Sequence, residues 1–161
     1  MIHAPGSLGP ALLPTAGFSY AVAPHLLVGL RAAGPGFASD VAAPGGSIAV
    51  RQAMAWVDAR YEFELATPLV TPFVTAGIGG LYLGVAGTAL PPYRGETDST
   101  LAALLAAGAG AALRLGTRVA LVADVRILVA APAPIVRASG AEAARVGRPS
   151  LLEQIAVEVA F

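Results

Sequence analysis

Apolar and polar positions alternate with a period of two over long stretches of the chain. Over residues 119–131 the odd positions Val119, Leu121, Ala123, Val125, Ile127 and Val129 are all apolar, whereas Asp124 and Arg126 share the even face. Over 52–65, Gln52, Asp58, Arg60, Glu62 and Glu64 fall on one side and Ala53, Ala55, Val57, Ala59, Tyr61, Phe63 and Leu65 on the other. In the closing stretch Gln154 and Glu158 oppose Ile155, Val157, Val159 and Phe161. Successive side chains of an extended chain point to opposite faces, whereas a helical period would scatter these charges around the whole circumference. The pattern predicts strands.

Turn-forming clusters divide the chain into about seven apolar pieces, near 11–22, 25–34, 48–64, 69–87, 100–115, 119–135 and 150–161. Short joints ("AP", "LATPL", "GTR") alternate with longer, more polar ones at 34–47, 90–100 and 137–150. That rhythm predicts an all-β antiparallel up-and-down meander, with tight turns at one rim and loops at the other. A helical membrane protein is the competing reading, because Leu65 to Leu90 carries no charge. Pro68, Pro72 and five glycines interrupt that run, and "LAALLAAGAGAALRL" is too short to span before Arg114.

Composition decides which face meets water. Hydrophobic residues make up 56% of the chain and charged residues 12%, about half the ~25% charge of an ordinary soluble domain. Ten arginines, ten acids and no lysine cannot coat a soluble particle of 161 residues. The polar faces are sparse and mix both signs, as expected of groups that pair across a narrow interior. Arg31, Asp58, Arg60, Glu62, Glu64, Arg114, Asp124, Arg126 and Glu158 form the expected lumenal charge network, with Met54 and Trp56 packing on the same side. Phe18, Tyr20, Tyr61, Phe63 and Phe161 lie on apolar faces near the tight-turn rim, where an aromatic girdle would sit at a membrane interface.

The C-terminal "IAVEVAF" resembles the terminal strand of bacterial outer-membrane β-barrel proteins, which alternates apolar residues and finishes on an aromatic. "TPFVTAGIGGLYLG" and "GAGAALRLGTRVALVADVRIL" are similar to a strand and a hairpin of the small, eight-stranded members related to outer-membrane protein A, and the likeness covers most of 47–161. It implies a transmembrane barrel in contact with outer-membrane lipid. It also implies that Ile155, Val157, Val159 and Phe161 are read by the barrel-assembly machinery. Bacterial barrels have even strand numbers of eight or more, so about seven pieces over 1–161 lead to the expectation of a single barrel domain whose first strand and signal peptide are missing. The alternatives are that residues 2–10 form a short eighth piece, or that 69–87 is two strands.

Chemistry is sparse. There is no cysteine, and His3 and His25 have no partners at metal-ligand spacing in the sequence. Zero formal net charge offers no field for nucleic acid. No enzyme, cofactor or metal is expected. Two functions fit: a structural or surface-interaction barrel with a filled lumen, or a narrow, porin-like channel for small solutes. A soluble lipocalin-like ligand-binding barrel remains as the reading in which the faces are reversed.

Overall fold

The computed structural model of the chain describes residues 2–3, 13–36, 39–43, 46–65, 69–89, 97–132, 135–138, 141–145 and 149–159. Among them there is no helix. Eleven strands follow in order: β1 (Ile2–His3), β2 (Thr15–Ala23), β3 (Leu26–Ala33), β4 (Ser39–Ala43), β5 (Gly46–Glu62), β6 (Val70–Ala89), β7 (Thr97–Arg114), β8 (Val119–Ala131), β9 (Ile135–Ala138), β10 (Ala141–Arg145) and β11 (Ser150–Val159).

Seven of these form the meander, each paired antiparallel with its neighbour in the order β2-β3-β5-β6-β7-β8-β11. They match the seven pieces anticipated from periodicity, and 70–89 is one uninterrupted strand. The loop side is more structured than expected. β4 folds back on the upper end of β5, and β9 and β10 make a separate hairpin within the third long connection. The two-residue β1 pairs with β11, Ile2 opposite Leu152 and His3 opposite Leu151. Among the described residues no ladder joins β2 to β11, so the sheet they form is curled but not closed.

The tight turn between β2 and β3 follows from its residues. Pro24 presets the first central position, and His25 takes the left-handed conformation with φ 64°, the pattern of a type II turn. β5, β6 and β7 are 17, 20 and 18 residues long, whereas β2 and β3 have 9 and 8. The wall is therefore tallest in the middle of the sheet.

Burial follows parity, with the apolar side outward. Along β8 every even residue from Val122 to Ala130 is buried and every odd one from Val119 to Ala131 is exposed. Ile155 is 79% exposed and Ile78 65%, whereas Arg126 is 1% exposed. Asp58, Arg60 and Asp124 are likewise buried. Among the described outward positions of the meander strands, the charged residues are Arg51 and Glu153. An ordinary soluble sheet would bury the aliphatic face and expose the ionic one.

Candidate functional site

The interior is built in three layers, legible along each strand. Nearest the tight turns, Phe73, Ala112 and Val122 pack together with Ala120. Toward the loop rim a larger apolar cluster gathers Met54, Trp56, Leu81, Leu83, Leu104 and Leu128 with their smaller neighbours. Between the two lies a belt of charge. On β8 the order Val122, then Asp124 and Arg126, then Leu128 passes through all three layers in seven residues.

Seven charged side chains form one continuous alternating chain. Glu62 meets Arg60 at 2.7 Å, and Arg60 Nη1 donates to Glu158 at 2.8 Å. Glu158 lies 3.5 Å from Arg31, whose Nε donates to Asp58 at 3.1 Å. Asp58 accepts from Arg126 Nη1 at 2.6 Å, and Arg126 Nε donates to Asp124 at 2.9 Å. Thr75 Oγ1 adds a bond to Asp58 at 3.4 Å. Each interior arginine thus has two acidic neighbours, the condition under which buried charge is tolerated. The belt ties β3, β5, β8 and β11 together across the interior.

Two of the expected network residues stand elsewhere. Glu64 is exposed at the turn rim, 3.8 Å from His25, so His25 does have an acidic neighbour that sequence spacing did not reveal. Arg114 is exposed at the end of β7. Both continue the inward parity, but their strands end before those positions are enclosed. Conversely, Phe73 and Thr75 belong to the interior. The Arg60 guanidinium lies 3.9 Å from the centre of the Phe73 ring, a cation–π contact. The alternation Thr71, Phe73, Thr75 along β6 was the available signal for both.

Glycines make room for the belt. Where the curled sheet brings inward side chains into contact, a large inward residue needs a small one beside it. By register Asp58 faces Gly77, Trp56 faces Gly79, Arg126 faces Gly108 and Asp124 faces Gly110. A Cβ at Gly79 would stand 2.5 Å from Trp56 Cβ, and one at Gly108 2.8 Å from Arg126 Cγ. Gly80, on the outward face, has only a backbone oxygen at 3.9 Å.

On the outside, Phe18, Tyr20, Tyr61 and Phe63 are all exposed. Tyr61 and Phe63 meet edge to face with ring centres 5.2 Å apart, and the His25 ring lies 6.5 Å from Tyr61 beside the first tight turn. Ile155, Val157 and Val159 are exposed along β11. Phe161, the last member of both the girdle and the terminal signature, lies outside the described residues.

No protein-family model matches the chain, and no curated protein matches it.

Proposed function

We propose that the protein is a bacterial outer-membrane β-barrel component with a structural or surface-interaction role, its lumen filled and its loop rim available to partners. One observation carries the reading: the exposed face of the meander is almost wholly apolar, while a belt of charge is buried between apolar layers on the other face, an arrangement that is stable in hydrocarbon and unfavourable in water. The exposed aromatics near the tight turns fit the interfacial girdle of such a barrel. The outward Ile155, Val157 and Val159 suit the terminal strand that assembly machinery recognises in the family the sequence resembles. A narrow channel fits less well. A solute crossing the interior would have to pass the ionic belt and both apolar layers, and buried arginines with two carboxylate neighbours leave little for water to hydrate.

Refolding separates the readings. The proposal expects the denatured chain to gain strand signal and protease resistance with lipid vesicles or detergent micelles, to aggregate in plain buffer, and to be electrically silent in planar bilayers. A monodisperse β-fold in detergent-free buffer would overturn it, and discrete conductance steps would replace the plug with a channel.

A further inference from the structure

On three adjacent strands the outward face changes from polar to apolar at one level. β5 carries Arg51 outward, paired in register with Gly84 of β6, which pairs in turn with Ser99 of β7. Toward the loop rim from that row β7 shows Thr97 outward; toward the tight turns it shows Leu101, Ala103 and Leu105, with Leu101 73% exposed. On β5 the outward positions below Arg51 are Ala53, Ala55, Val57 and Ala59, and they end at Tyr61 near the tight turns. Arg51 and Tyr61 stand ten residues apart. At ~3.3 Å per residue and a strand tilt of about 40°, ten residues climb about 25 Å along the membrane normal, the height of the apolar band of a bacterial barrel. Arg51 therefore marks the opposite edge of that band.

Gly84 makes the row concave. It has no side chain, and Arg51 and Ser99 flank it at the usual cross-strand separation of about 5 Å between Cβ positions. Tyr82, on the same face of β6, leans its ring over the glycine. A Cβ built at Gly84 would lie 3.4 Å from Tyr82 Cε1 and 3.5 Å from the phenol oxygen. A guanidinium, a phenol and a serine hydroxyl thus surround one hollow, and Arg51, Tyr82 and Ser99 are all exposed. Every one of the three side chains carries a hydrogen-bond donor.

We propose that Arg51, Tyr82 and Ser99 form a cradle around Gly84 for the phosphate of a lipid headgroup in the leaflet on the loop side. The inference rests on the reading of the outward face as lipid-facing, and adds a specific ligand to it. The phosphate oxygens accept from the guanidinium, whose planar fork suits two of them at once, and from the two hydroxyls. The acyl chains of the same lipid then lie along exposed Leu101, Leu105 and Ile78 on the tight-turn side of the cradle. Free phosphate would meet the same donors without that apolar face, which assigns the ligand to lipid. Tyr82 suits the boundary, with an apolar ring and a polar tip.

Dodecyl maltoside micelles carry no phosphate, so dimyristoyl phosphatidic acid can be titrated into the refolded protein there while native mass spectrometry counts bound lipid. The protein is expected to hold one phosphatidic acid about tenfold more tightly than dimyristoyl glycerol, which has the same chains and no phosphate. Arg51→Gln is expected to weaken that binding about tenfold, and Tyr82→Phe and Ser99→Ala about threefold each. The last two keep the charge and carry the test should Arg51→Gln misfold. Arg118→Gln, exposed in the turn after β7, is expected to leave affinity within about twofold. Equal binding of dimyristoyl glycerol, full competition by inorganic phosphate at the same concentration, or equal losses in Arg51→Gln and Arg118→Gln would overturn the cradle. So would a loss of stability in Asp40→Asn equal to that in Arg51→Gln, since β4 places Asp40 opposite Ala49, one step nearer the rim, and such a match would make it the partner of Arg51. Insertion into phosphatidylcholine vesicles is scored separately. A chain that folds in detergent-free buffer refutes the membrane reading, whereas one that inserts and shows no dependence on Arg51, Tyr82 or Ser99 refutes the cradle alone.

Discussion

The Arg126 guanidinium donates to the Asp58 carboxylate at 2.6 Å although their strands are separated in the sheet by two others. β8 and β5 flank β7 and β6, and a flat sheet would hold the two residues three inter-strand spacings apart. The sheet must therefore curl until its inward side chains meet. The pair is both the consequence of that curvature and a tie that maintains it.

Removing that tie leaves charge buried without compensation. Arg126→Ala removes the arginine that pairs with buried Asp124 and leaves Asp58 with Arg31 as its remaining arginine partner, and loss of about 3–5 kcal/mol of folding stability is expected, the usual penalty for breaking a buried pair. Arg114→Ala, at an exposed strand end, is expected to change stability by less than about 0.5 kcal/mol. Denaturant unfolding in the same micelles or vesicles compares them.

Adjacent glycines on β6 should respond oppositely to one methyl group. Gly79→Ala drives a Cβ against Trp56 and the neighbouring backbone and is expected to destabilise by about 1–3 kcal/mol. Gly80→Ala meets open space on the outward face and removes unfolded-state freedom, so it is expected to be neutral or stabilising by up to about 1 kcal/mol. Equal effects would refute the assignment of faces.

The outward face offers the sharpest test of the surrounding solvent. Ile78 is 65% exposed near the middle of β6. Ile78→Arg is expected to cost about 2–4 kcal/mol if that face meets the centre of a bilayer, and almost nothing if it meets water. The folded fraction recovered in vesicles across a urea series measures the difference.

At the first tight turn His25→Gly is expected to raise the unfolding midpoint. A φ of 64° is unfavourable for a side chain bearing a Cβ by about 1 kcal/mol and free of that strain for glycine. The lost contact with exposed Glu64 contributes little against that gain.

Seven strands, their tight turns and the parity of nearly every buried charge were legible in the sequence, because side-chain alternation in a strand is a strictly local consequence of backbone geometry. Asp124 and Arg126 against Val125 and Ile127 is such a case. Parity could not say where a strand leaves the enclosed region, so Glu64 and Arg114 were grouped with residues they do not join. Phe73 shares its parity with Thr71 and Thr75, but its contact with Arg60, which arrives from the neighbouring strand, is evident only in the folded sheet. The order of partners in the ionic chain and the glycines that accommodate it depend on how far the sheet curls. That curvature is set by contacts between residues as distant in sequence as Arg60 and Glu158, and only the tertiary structure decides it.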